Sequence, residues 1–120
     1  MSYVDGYVIP IKKTNLPQYK KLATLGCKVW MEYGALTYFE CSGDDLKTKW
    51  GLSFIEMCKL KPTETAIFAF IVYKSKADRN RINALVMKDP RMNPSGKKKA
   101  KMPFDMKRFA MGGFKTMVSK

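Results

Sequence analysis

Residues 66–73, Ala-Ile-Phe-Ala-Phe-Ile-Val-Tyr, are apolar throughout, and no other stretch of the chain limits its fold so tightly. The run is strand-length, and β-branched and aromatic residues dominate it, so residues 65–74 are expected to form a strand. Successive strand side chains point to opposite faces. Ala66, Phe68, Phe70 and Val72 make one face, and Ile67, Ala69, Ile71 and Tyr73 the other. Both faces are apolar, so the sheet holding this strand needs cover on both sides. The helices of a small domain cover one side only. Leaving three large side chains bare on the other would forfeit about 1.5–3 kcal/mol each, which in sum rivals the stability of a whole domain. A second sheet from an identical chain supplies that cover, so a homodimer with facing sheets is expected.

The remaining elements arrange themselves around this strand. Residues 3–11 alternate around β-branched and aromatic side chains and read as the first strand, with Pro10 near its end. Asn15 is a candidate helix N-cap, and Pro17 falls in the first turn. Leu16, Tyr19, Ala23, Cys27 and Trp30 then recur at helical spacing up to Gly34, the left-handed stop. A second strand spans residues 35–41, with Leu36, Tyr38 and Glu40 opposed to Thr37, Phe39 and Cys41. Gly43-Asp44-Asp45 is a turn, residues 47–53 suggest no element, and residues 54–60 read as a short strand closed by Pro62. Ser75 and Asp78 have the spacing of a capping box. They open a second helix with Ile82, Leu85 and Val86 on its apolar side and Pro90 beyond its end. A loop over 89–102 precedes the last strand, residues 107–118, where Gly112-Gly113 points to a bulge or a close approach. The order β-α-β-(β)-β-α-β is the split βαβ pattern. A single α+β domain over residues 1–120 is expected, a ferredoxin-like antiparallel sheet with two helices on one face.

Composition excludes several classes of chemistry. The chain has no histidine, and Cys27, Cys41 and Cys58 are an odd number with no C-x-x-C pair. Zinc sites of the Cys/His kind, histidine-ligated haem and Ser-His-Asp triads are therefore not expected, and neither a metal nor a cofactor is assigned. The cysteines read as packed thiols of a reducing compartment. No segment approaches the ~20 apolar residues that span a bilayer. Residues 1–6 lack the basic-then-apolar pattern of a signal peptide, so a cytoplasmic location without membrane attachment is expected. The net charge of +13, from 23 basic and 10 acidic residues, creates a field that attracts polyanions.

A family resemblance rests on motifs distributed along the chain. Tyr3-Val4-Asp5-Gly6 opens it, and Val29-Trp30 and Gly34-Ala35-Leu36 bracket the end of the first helix. Glu40-Cys41, Asp44-Asp45, Phe70-Ile71-Val72-Tyr73-Lys74-Ser75 and Val86-Met87-Lys88-Asp89-Pro90-Arg91 follow. Met102-Pro103-Phe104-Asp105, Lys107-Arg108 and Gly112-Gly113-Phe114 complete the series. In this order they resemble a family of small bacterial proteins known as domain of unknown function 1428, the YbaA-like proteins. The resemblance implies the dimeric α+β barrel superfamily, which includes cofactor-free monooxygenases, small-molecule isomerases and haem proteins. It carries over no activity. The basic stretch Lys97-Lys98-Lys99-Ala100-Lys101 departs from the family pattern.

Two groups of residues are candidates for function. The first is Tyr3, Asp5, Tyr38, Glu40, Asp105 and Arg108. In ferredoxin-like strand order Asp5 lies in a central strand, where a lone carboxylate is costly unless paired. One reading is a small-molecule pocket, binding or enzymatic without a cofactor, with Asp5 or Glu40 as acid or base and Arg108 holding an anion. The other is a structural ion pair of Asp5 or Asp105 with Arg108. The second group is basic: Arg79, Lys97, Lys98 and Lys99, with Arg81 and Lys88 on the second helix. It reads either as a solvated face or as an anion-binding surface, and in the latter case the alternative function is a basic nucleic-acid-binding module. The nucleic-acid alternative is the weaker, because no recognition motif accompanies the lysines. Asp44-Asp45 offers too few oxygens for a hard cation and reads as turn chemistry.

Overall fold

A computed structural model of the chain describes residues 1–92 and 102–120. Four antiparallel strands form one sheet: β1 (Tyr3–Lys12), β2 (Thr37–Ser42), β3 (Glu64–Tyr73) and β4 (Ala110–Lys115), in the order β2-β3-β1-β4. The two longest strands are therefore central and the two short ones are edges, as the split βαβ reading expects. A single 3-10 turn (Lys13–Asn15) leads into helix α1 (Leu16–Glu32), and α3 (Lys76–Lys88) follows β3. The fold is α+β and ferredoxin-like.

Local chemistry accounts for the helix ends. Ser75 Oγ accepts the Asp78 amide at 3.0 Å, and Gly34 at φ +114° turns the chain after α1. Asn15 stands at the N-cap position of α1, but its side chain makes no capping bond; its amide donates to the Pro103 carbonyl at 2.9 Å and ties the helix start to the approach to β4.

Two elements differ from expectation. Residues 54–60 were expected as a strand, yet Phe54–Cys58 is a short helix, α2. Ser53 and Glu56 form a capping box, with the Glu56 amide 3.1 Å from Ser53 Oγ. Lys59, at φ 52°, ends the helix in left-handed conformation. The last strand is shorter than residues 107–118, because Asp105, Lys107 and Arg108 form a turn before it. Gly112 and Gly113 cause no bulge, since β4 pairs with β1 in continuous register. They permit close approach instead. A Cβ on Gly113 would collide with the Tyr3 ring, and one on Gly6 would meet Phe114 at 3.3 Å.

The odd-numbered residues of β1 and β3 face the helices. Ile9, Ile11, Ile67 and Ala69 pack with Tyr19 of α1, while Ile71 and Tyr73 pack with Val29, Ile82 and Val86. The opposite sheet face carries Val4, Val8, Phe68, Phe70, Phe39 and Phe114. Phe39 stacks on Phe70 with ring centroids 5.0 Å apart. Phe68, Phe39 and Phe114 nevertheless remain 49%, 52% and 61% exposed. The molecule measures 41 × 39 × 20 Å, the thickness of two layers.

Candidate functional site

Both inward-facing carboxylates of the sheet are held by several donors, but of opposite kinds. Asp5 is fully buried. Arg79 Nε lies 3.0 Å from each of its oxygens, a terminal guanidinium nitrogen lies 2.9 Å from Oδ1, and Asn83 Nδ2 donates to Oδ2 at 3.3 Å. Arg79 and Asn83 are one helical turn apart, so the face of α3 that buries Ile82 and Val86 also brings both to Asp5. Asn83 Oδ1 accepts from the Tyr73 hydroxyl and the Trp30 indole, each at 3.0 Å. The Tyr3 ring lies under the Arg79 guanidinium at 5.3 Å. This network locks α3 and α1 to the centre of the sheet. Asp5 raises the Arg79 pKa further by hydrogen bonding and charge.

Glu40 lies on β2, beyond β3 from Asp5, and its donors are neutral. Tyr19 Oη donates to Oε1 and Tyr38 Oη to Oε2, both at 2.7 Å. Burial first, and then the hydrogen bond to Glu40, raise both phenol pKa values well above the usual range, so both keep their protons. Among the described residues Glu40 makes no salt bridge. Gly26 makes the arrangement possible, because a Cβ there would sit 2.9 Å from Tyr38 Oη.

Tyr19, Glu40 and Tyr38 stand between two hollows. An outer cleft of about 960 Å³ runs between α1 and β2, with Lys20, Lys28, Cys27 and Ser42 on its walls. An inner cavity of about 180 Å³ lies between α1 and the sheet, walled by Tyr7, Trp30, Phe104 and Phe109 among others. Burial also raises the Tyr7 pKa. A carboxylate offers about four acceptor positions, and two on Glu40 are taken. Glu40 lines both hollows.

The structure thus brings together Tyr38 and Glu40 of the six pocket candidates and disperses the rest. Tyr3 and Asp5 belong to the Arg79 network. Asp105 accepts the Lys107 amide of its own turn at 2.9 Å. Arg108 binds Glu64 at 2.7 and 3.1 Å and the Cys58 carbonyl at 3.0 Å, closing the end of α2. An ion pair does hold Asp5, but its partner is Arg79 rather than Arg108. Asp105 and Arg108 line a separate cleft of about 500 Å³ with Pro10, Asn15 and Phe104. Of the basic group, Arg79 is engaged by Asp5 and Asn80, Arg81 by Asp78 and the Tyr33 carbonyl, and Lys97, Lys98 and Lys99 lie outside the described residues. The sequence places Tyr19 and Trp30 on the core stripe of α1 without linking Tyr19 to Glu40 or Trp30 to Asn83. The available signal was Gly26, a glycine inside a helix, which costs about 1 kcal/mol relative to alanine and so marks a point of close approach.

Fold and site together define a small ferredoxin-like α+β protein with a carboxylate-centred hollow beneath its first helix. The chain belongs to the family described as "Protein of unknown function (DUF1428)", which it matches over residues 2–106. It is 33% identical over 120 residues to "Uncharacterized protein YbaA" of Escherichia coli strain K12, covering 100% of both chains. Proteins of the same description from Escherichia coli O157:H7 and Shigella flexneri match with the same identity and coverage. Among the described residues no helix is long and apolar enough to cross a membrane.

Proposed function

We propose that the chain is a small-molecule-binding protein, acting as a homodimer, whose ligand enters between α1 and β2 and meets Glu40. The observation that carries this reading is the position of Glu40, held between two phenols at 2.7 Å and facing both an outer cleft and an inner cavity. A site with a few convergent polar groups in largely apolar walls is the usual form of a small-molecule pocket. The same carboxylate suits a cofactor-free reaction, in which it would accept a proton from the ligand while Tyr19 and Tyr38 hold its orientation.

The exposed aromatic face of the sheet supports the dimer. Phe39, Phe68 and Phe114 form part of a continuous apolar surface that a second copy would bury by two-fold symmetry. Packing sheet on sheet puts a protomer's helices outside, as the dimeric α+β barrel arrangement requires. The free thiols Cys27, Cys41 and Cys58 support a reducing, cytoplasmic setting.

Native mass spectrometry of the purified protein tests the reading. The expected result is a dimer that carries a reproducible small-molecule adduct, reduced in Glu40→Gln. An adduct unchanged in Glu40→Gln would move the site elsewhere, and a monomer at micromolar concentration would overturn the facing-sheet arrangement.

A further inference from the structure

We propose that the inner cavity takes a small organic monocation, an arylalkyl ammonium, with its charged nitrogen on Glu40 and its ring among the aromatic walls. The inference rests on the small-molecule reading above and adds the chemical class of the ligand. The first argument is the sense of the hydrogen bonds. Both phenol protons are committed to Glu40, so the hydrogen-bonding capacity left on Tyr19, Glu40 and Tyr38, which line both hollows, is that of acceptors. An ammonium has only donors to offer and completes such a surface, whereas a carboxylate or phosphate would meet acceptors alone.

The second argument is the wall. The side chains of Tyr7, Trp30, Phe104 and Phe109 line the cavity, and an aromatic face attracts a cation electrostatically. Ring pairs brace this wall: Tyr7 and Phe109 lie 5.9 Å apart, Trp30 and Tyr38 6.1 Å, and Phe104 and Phe109 stack at 5.6 Å. The Trp30 indole N–H points to Asn83 rather than toward the ligand space. The third argument is charge segregation. No lysine or arginine is among the described residues that line this cavity, and Glu40 is the one charged group among them. Lys20 and Lys28 stand on the outer cleft instead.

Size agrees with this class. A volume of about 180 Å³ corresponds to roughly six waters at liquid density, room for one ring and a short amine tail.

The test uses three probes of one shape and different charge: phenethylammonium, 2-phenylethanol and phenylacetate. Trp50 is exposed, so Trp50→Phe in the full-length chain leaves Trp30 as the single tryptophan reporter. Fluorescence titration is expected to show saturable binding of phenethylammonium, at least about ten-fold tighter than the alcohol, with phenylacetate weakest. Glu40→Gln is expected to raise the ammonium Kd about ten-fold or more and to leave the alcohol nearly unchanged. Tyr38→Phe keeps the ring, removes one phenol donor and replaces Glu40→Gln should that variant misfold; it is expected to weaken the ammonium selectively. Equal or tighter binding of the alcohol or the acid would overturn the cationic class while upholding a small-molecule cavity. Failure of all three probes to saturate at millimolar concentration would overturn both.

Discussion

Asp5 and Glu40 project from the same face of one sheet, on strands separated only by β3, and the protein treats them in opposite ways. Asp5 is sealed by a guanidinium and an amide, with its donors supplied by α3 and cross-linked to Trp30 and Tyr73. Glu40 receives two neutral phenols and lines both hollows. The difference lies in sheet position. The partner of a carboxylate in a central strand has to come from the helix crossing above it, and burial without a cation would be prohibitive. An edge-strand carboxylate retains access to a cleft, so neutral donors suffice to orient it. Paired charge at the centre ties helix to sheet, whereas among the described residues the edge carboxylate is held by phenols alone.

The largest expected effect concerns the sealed carboxylate. Asp5→Ala leaves Arg79 without its partner and is expected to cost about 3–5 kcal/mol in urea unfolding; a loss below about 1 kcal/mol would mean that the network does not hold α3. Next comes the uncovered face of the sheet. Phe68→Glu places a charge in the proposed interface centre and is expected to weaken association by about 2 kcal/mol or more, read by sedimentation across a dilution series. Unchanged association would locate the dimer contact elsewhere.

Gly26→Ala sharpens the edge half of the comparison. Alanine gains about 0.5–1 kcal/mol in helix propensity, but displacing the Tyr38 hydroxyl costs about 1–3 kcal/mol. A net loss of about 1 kcal/mol is expected, together with weaker probe binding at Glu40. Improved stability with unaltered binding would show that Tyr38 does not need its observed position.

A third carboxylate gives a pH control. Arg108 and the Lys61 amide hold the Glu64 pKa down, from 4.5 to about 2. Because the folded value lies below the unfolded one, this contribution is complete above about pH 4.5 and is lost as the pH falls toward about 2. Arg108→Ala is therefore expected to move the acid-unfolding midpoint upward and to leave the variant's deficit largest near neutral pH. The smallest effect is reserved for the open carboxylate. Glu40→Gln keeps an acceptor for one phenol, and the other hydroxyl can rotate to accept from the new amide, so thermal unfolding is expected to stay within about 1 kcal/mol of wild type. A loss as large as that of Asp5→Ala would erase the distinction between the two carboxylates.

Much of the fold was legible along the chain. Period-two and period-3.6 patterns placed β1, β3, α1 and α3, and the Ser75 and Gly34 signals set helix ends, because these depend on neighbours within a few residues. Residues 54–60 were misread because a short apolar segment does not separate strand from helix by periodicity, although Ser53 and Glu56 carried the capping-box spacing. The site was half legible. Tyr38 and Glu40 share a strand face by simple alternation. Tyr19 reaches them only across the layer between α1 and the sheet, and no spacing rule spans that gap.

By itself, then, the sequence determined the two-faced central strand, the α+β order and the exclusion of histidine chemistry, all of which follow from local periodicity and composition. Tertiary structure alone decided which cation met which anion. Asp5 paired with Arg79 and Glu64 with Arg108 because helix placement over a twisted sheet sets which long side chains reach which strand. It also left Glu40 without a cation among the described residues, because α1 presents Tyr19 at that point and Gly26 admits Tyr38 beside it.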